Sequence, residues 1–192
     1  MAGFLEKGAE GTFALTPLGL LATEVNEGHT LLMPLLATSE KCKDLTGSEI
    51  ACILAGFLRE GGGQEEESAN IYEVGLRSDV TDVLTWIDGQ ARALEREEDR
   101  LRYFSPTGFW DLSPLWVCVT ARWIAGVGLT QLATEFEMFE GNIQRGLLRI
   151  ANLLEEWGSL ATLRRDLPML EKLGALRFLR DEIVVDSLYL RL

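Results

Sequence analysis

Arg145 and Arg149 lie four residues apart in the segment 139–154, which opens like a helix N-terminus and sorts its residues by face. Ile143, Leu147, Ile150 and Leu154 recur at i, i+4, i+7 and i+11 as an apolar stripe, while Arg145, Arg149 and Asn152 fall on another face. Two guanidinium groups on one rigid rod suit phosphate pairing or stacking on bases. Arg145 is one turn from the helix start with Glu137 and Glu140 close in sequence, so a structural ion pair and a nucleic-acid contact both remain open for it.

Other chemistry finds little support. His29 is the only histidine and reads as a turn or surface residue rather than a base, and Cys42, Cys52 and Cys118 lack the spacing of a zinc site. No cofactor is expected. Phosphate-loop, dinucleotide, serine-hydrolase and zinc-protease motifs are all missing, so no catalytic residue is assigned and no ATPase site is expected in this chain. Residues 60–70 combine three glycines with Glu60, Glu65, Glu66 and Glu67, the composition of a solvated loop. A catalytic carboxylate cluster is the sharper alternative there. Five tryptophans offer potential stacking platforms; Trp123 reads as core, whereas Trp110 and Trp116 stay open.

The elements that must carry these residues are mainly helical. Short apolar pieces punctuated by glycines, such as Thr12-Phe13-Ala14-Leu15, predict a strand or turn near the N-terminus. Residues 29–37 and 47–59 predict two helices, the second with Ile50, Ile53, Leu54, Phe57 and Leu58 inward and Ser48 near its start. A long helix follows from Ser78 to about Arg102, with Val80, Val83, Leu84, Ile87, Ala91 and Leu94 on its apolar face. Its charged end predicts pairs between Arg92 and Glu95 and between Glu98 and Arg102. Ser113-Pro114 restarts the chain as an N-cap with proline in the first turn, and Thr130 is placed as the cap of a short helix reaching Phe136. The arginine-bearing helix spans residues 141–156, a further helix bent at Pro168 spans 159–173, and a last one starts at Ala175. About seven helices and no alternation of strand with helix give a helical bundle.

With 192 residues, 47% hydrophobic and 25% charged, the chain can bury one good core. A net charge of −12 repels phosphate backbones at long range, which disfavours a stand-alone nucleic-acid binder unless positive groups are concentrated. Reduced cysteines and the lack of a secretion signal or membrane-spanning run predict an intracellular protein with no membrane association.

Several of these stretches together resemble one family. Trp123-Ile124-Ala125-Gly126, then Phe139-Glu140-Gly141-Asn142-Ile143-Gln144-Arg145 and the helix after it, then Arg180-Asp181 with Ser187-Leu188-Tyr189-Leu190, fall in family order. They resemble the C-terminal helical domain, DSHCT, of the DExH-box RNA helicases that feed the RNA exosome. Leu15-Thr16-Pro17-Leu18-Gly19 and Ala22-Thr23-Glu24-Val25 resemble the exit from that family's winged-helix domain. The resemblance implies a winged-helix exit over residues 1–24 and a helical bundle over 25–192. It implies a bundle that packs on two helicase motor domains and lines the exit of an RNA channel, with the helix 141–156 as a ratchet beneath single-stranded RNA. Arg149 matches the second arginine of the family's pair, Arg145 is a further RNA-binding candidate, and Glu60 is nearest to an RNA-facing glutamate. Partners so implied are single-stranded RNA, the motor domains and the RNA exosome or its adaptors. Leu148 stands where the pair's first arginine is usual, Ala151 and Asn152 replace acidic residues, Phe136 replaces a threonine and Glu182 an aliphatic residue. A rival from another class is a free-standing helical protein-interaction module without RNA binding, and a helix-turn-helix DNA reader over 113–156 is disfavoured by its two arginines and the repulsive charge.

Overall fold

The structure, a computed structural model, describes residues 3–58 and 69–174. These residues hold a two-stranded antiparallel sheet at the N-terminus and eight α-helices. Strands β1 (Leu5–Lys7) and β2 (Phe13–Leu15) pair Leu5 with Leu15 and Lys7 with Phe13, as the strand expected at 12–15 requires. Thr16 then caps α1 (Pro17–Ala22), accepting from the Gly19 N–H at 3.1 Å. Gly19 is obligatory there: a Cβ would lie 2.1 Å from the Phe4 carbonyl oxygen, where α1 presses on the chain leading into β1.

Helices α2 (Leu32–Thr38) and α3 (Gly47–Ala55) follow. Helix α3 is apolar nearly all round, with Ile50, Ala51, Ile53, Leu54 and Ala55 fully buried, and such a helix belongs at the centre of a core. It packs against α4 (Ser78–Leu101), α5 (Pro114–Ile124), α7 (Glu140–Leu163) and α8 (Leu167–Gly174). Its start is fixed not by Ser48 but by a capping box: Thr46 accepts from the Glu49 N–H at 3.2 Å, and the Glu49 carboxylate accepts in turn from the Thr46 N–H at 2.7 Å. Thr-x-x-Glu is the sequence signal for this start.

Three expectations need correction. Thr130 does not cap α6 (Leu129–Glu135); Gly128 holds that position without a side-chain bond, and Leu129 is already buried inside the helix. The break expected near residue 158 is absent, because Leu153, Trp157, Leu160 and Ala161 continue one buried stripe and keep α7 helical through Gly158. The chain turns instead at Arg165, which adopts a left-handed φ of 55°, and Pro168 opens α8 rather than bending it. Asp166 caps that start, accepting from the Met169 N–H at 3.1 Å. The third concerns Glu98 and Arg102. Arg102 leaves the helix at φ 56°, so its side chain loses the i+4 geometry, and Glu98 accepts from the Ser105 hydroxyl and the Trp110 indole N–H instead, at 2.8 and 2.9 Å. The Arg92–Glu95 pair does form, at 2.6 Å. The helix expected from Ala175 lies outside the described residues.

Cys42, Cys52 and Cys118 are all buried, and burial pushes their thiols up to about 12, about 12 and about 11. Near pH 8 they are expected to resist an aromatic disulfide reagent in the folded protein and to react promptly once denaturant unfolds it. Prompt labelling of the native chain would contradict this packing. Folded values above the ordinary 9.0 mean that the unfolded chain gives up these protons first, so stability drains away as pH climbs from about 9 toward 12.

Candidate nucleic-acid interface

Helix α7 positions both candidate arginines. Phe139 holds its N-cap position in extended geometry, and Glu140 places a carboxylate in the first turn, where the helix dipole favours negative charge. Ile143, Gly146, Leu147, Ile150, Leu153, Trp157 and Leu160 form the buried stripe that fixes its rotation. The first half packs against α5 and α6 beside fully buried Trp116, and the second half joins the cluster containing α2, α3 and α4. Leu154, expected in the stripe, is only half-buried, and Leu153 takes its place.

The structure separates the two arginines that the sequence paired. Arg145 is exposed, and among the described residues it makes no ion pair; neither Glu137 nor Glu140 reaches it. Arg149 is half-buried, with its Nε 3.5 Å from Glu27 Oε2. Asn152, one turn further on, donates from Nδ2 to Glu27 Oε1 at 2.8 Å. Glu156 completes the row: its Oε1 accepts from the backbone N–H of Asn26 and Glu27 at 2.9 and 2.7 Å, and its Oε2 from that of Gly28 at 3.1 Å. One face of α7 thus grips the loop 26–28, a role that sequence reasoning missed. Glu60 lies outside the described residues, and so does most of the acidic stretch 60–70.

Departures from the family pattern turn out to serve packing. Leu148 and Phe136 lean on the cluster around Trp116, and Ala151 lines an apolar cleft with Ala51, Thr120, Trp123, Ile124, Leu147, Ile150 and Leu154. An arginine or carboxylate at these positions would have to surrender that packing. Glu182 lies outside the described residues.

The remaining candidates are structural. Trp110 and Trp116 are 4% and 0% exposed, so neither presents a stacking face, while Trp123, expected in the core, is half-buried. His29, expected at a turn or on the surface, stands just before the turn at 30–31 and is buried. It is 4% exposed, packs between Phe109 and Trp110 with ring centroids 4.7 and 5.0 Å away, and its Nδ1 accepts from the Leu31 and Leu32 N–H groups at 3.3 Å. Arg92 is bound to Asp88, Glu95, Asp111 and the Trp110 carbonyl, and its bond to Asp111, followed by that to Glu95, pushes its pKa still higher. No metal cluster and no helix able to cross a membrane occur among the described residues.

A long half-exposed rod with two arginines, laid across a helical core and gripping the loop 26–28, belongs to a mainly helical bundle with a small N-terminal sheet. Residues 12–181 match the DSHCT (NUC185) domain, and the chain belongs to that family, a helicase-associated domain found in DExH-box helicases. The match starts at residue 12, so β2 and α1 fall within the family region. No curated protein matches the chain.

Proposed function

We propose that this domain packs on the motor domains of an RNA helicase and guides single-stranded RNA along α7 toward the RNA exosome, with ATP hydrolysis supplied by the motor domains of an intracellular enzyme. The observation that carries this reading is the face of α7 itself: a rod of about 36 Å whose buried stripe fixes its rotation and leaves Arg145 exposed, with Arg149 one turn along. A helix is a stiff platform, and arginine both pairs with phosphate and stacks on bases, so a strand can be held without sequence readout. The net charge of −12 is compatible with guidance. A strand already held by a motor needs a few placed cations, and a strongly basic surface would slow its passage.

The test is titration of labelled single-stranded RNA at low and moderate salt. Arg145→Glu and Arg149→Glu are each expected to weaken binding by roughly tenfold, equivalent to about 1.4 kcal/mol. The salt dependence of the wild type should exceed that of either variant, by a log–log slope of about 0.7 for each phosphate that the variant no longer neutralises. Equal affinities and slopes for all three proteins would remove the reading.

One observation favours the protein-interaction alternative. Leu101, Tyr103 and Phe104 stand exposed at the end of α4, on a turn that Glu98 braces through Ser105 and Trp110. Exposed aromatics on a braced turn are what a protein contact uses. Salt-independent absence of RNA binding, with loss of a protein partner on Phe104→Ala, would select that alternative.

A further inference from the structure

We propose that the corner between the loop 39–45 and the α7–α8 turn docks an acidic, leucine-bearing segment of a partner protein. The proposal is independent of the RNA reading, which stands or falls on the arginines of α7.

The corner gathers cations that the chain elsewhere outnumbers with carboxylates. Segments 37–45 and 163–174 carry Lys41, Lys43, Arg164, Arg165 and Lys172 against Glu40, Asp44, Asp166 and Glu171, whereas the whole chain has 18 cations for 30 carboxylates. Two bonds bring the segments together: Arg164 Nη1 donates to the Ala37 carbonyl, and Lys172 Nζ to the Lys43 carbonyl. The loop itself is braced. Cys42 and Leu45 are buried in the core, the Lys43 N–H donates to the Glu40 carbonyl at 3.0 Å, and Lys41 and Lys43 are left exposed on either side of Cys42. Across the corner Arg165, in left-handed geometry, donates its N–H to the Thr162 carbonyl at 3.0 Å and is exposed.

Pairing sets these cations apart. Arg77, Arg92, Arg100 and Arg122 each meet a carboxylate. At the corner only Arg164 does so, 3.6 Å from Asp166, and that carboxylate also caps α8. Lys41 instead lies over the Trp86 ring, 5.3 Å from its centroid, and Lys43 and Arg165 meet no carboxylate among the described residues. An acidic partner is repelled by a surface of net charge −12 and least repelled where cations stand uncompensated. Leu163 and Leu167 stand exposed beside Arg164 and Arg165, so apolar contact area adjoins the charge, as in a protein interface. No aromatic residue lies on either segment, and Lys41 already occupies the Trp86 ring, which leaves no stacking platform and favours a polypeptide over RNA.

The experiment uses the full 192-residue chain. The probe is a labelled synthetic peptide of repeated Glu-Glu-Leu units, with Gln-Gln-Leu and Glu-Glu-Ser counterparts, titrated at low and moderate salt. Wild type is expected to prefer Glu-Glu-Leu over both counterparts. Lys43→Glu with Arg165→Glu should weaken that binding by roughly five- to tenfold, the range for two reversed exposed charges. Lys43→Gln with Arg165→Gln should fall in between. Arg96→Glu with Arg102→Glu makes the same charge change on exposed residues of another region and should have a clearly smaller effect. Leu167→Ser should remove the preference for leucine over serine. Melting temperatures of the corner variants should match wild type, because both side chains are exposed. Equal losses from the two charge-reversed pairs would reduce the effect to net charge and overturn the site. Loss of single-stranded RNA binding on the corner variant, with peptide binding unchanged, would make the corner a nucleic-acid surface and overturn the partner. A wild type that does not distinguish the three peptides would also overturn the proposal.

Discussion

Gly146→Ala is expected to destabilise the domain by about 2 kcal/mol and to lower its melting temperature by roughly 4–8 °C. In α7 this glycine is the point where Trp116 of α5 lies against the helix. An added Cβ would stand 1.9 Å from Trp116 Cη2 and 2.1 Å from Cζ3. Alanine normally gains up to about 1 kcal/mol over glycine in a helix interior, so the sign of the effect depends on whether the indole can retreat. It cannot do so cheaply: Trp116 is fully buried and packed in the cluster that includes Leu132, Ile143 and Leu147. Overpacking then outweighs propensity. Gly158 in the same helix supplies the contrast, since its nearest atom to an added Cβ is Leu173 Cδ1 at 3.7 Å, an ordinary van der Waals distance. Gly158→Ala should therefore stabilise by about 0.5–1 kcal/mol. Denaturant titrations of the two variants read both signs, and equal stability for them would refute the packing account. Because Gly146 lies between Arg145 and Arg149, any tilt of α7 that relieved the clash would also move both guanidinium groups.

What could be read from the sequence was local. The limits of α4, the Ser113-Pro114 start of α5, the strand at Phe13–Leu15 and the placement of Arg145 and Arg149 on α7 all follow from patterns a few residues long. Two local signals mislead. Gly158 reads as a break although Trp157 and Leu160 continue the stripe, and Pro168 reads as a bend although Asp166 precedes it as a cap. The rest was not local. Asn152 meets Glu27 across 125 positions of chain, and Trp110 is buried through the pairing of its indole with Glu98 and the packing of His29 on its ring. Periodicity places Arg149 on a polar face, yet nothing within one turn of it announces Glu27. It is the loop geometry, set from 128 positions away by Glu156 bonding Gly28, that separates two arginines which spacing alone treats as equals.

Glu156→Ala should show how much that loop geometry is worth. The carboxylate accepts from three backbone N–H groups, at 2.7, 2.9 and 3.1 Å, and charge-assisted bonds of this kind are the stronger ones. Its removal is expected to cost about 2 kcal/mol, less than the sum of three such bonds because Asn26 and Glu27 are exposed and water can replace part of the loss. Amide exchange should accelerate at residues 26–28 first, while Leu147 and Ile150 in the core stay protected to the global limit. Glu156→Gln keeps one acceptor oxygen and no charge, so it should fall between alanine and wild type. The consequence reaches the arginine face, since Glu27 faces Arg149 and Asn152 from a loop that Glu156 holds. Unchanged exchange at 26–28 in Glu156→Ala would mean that the loop is held by its own turn and by His29 rather than by α7.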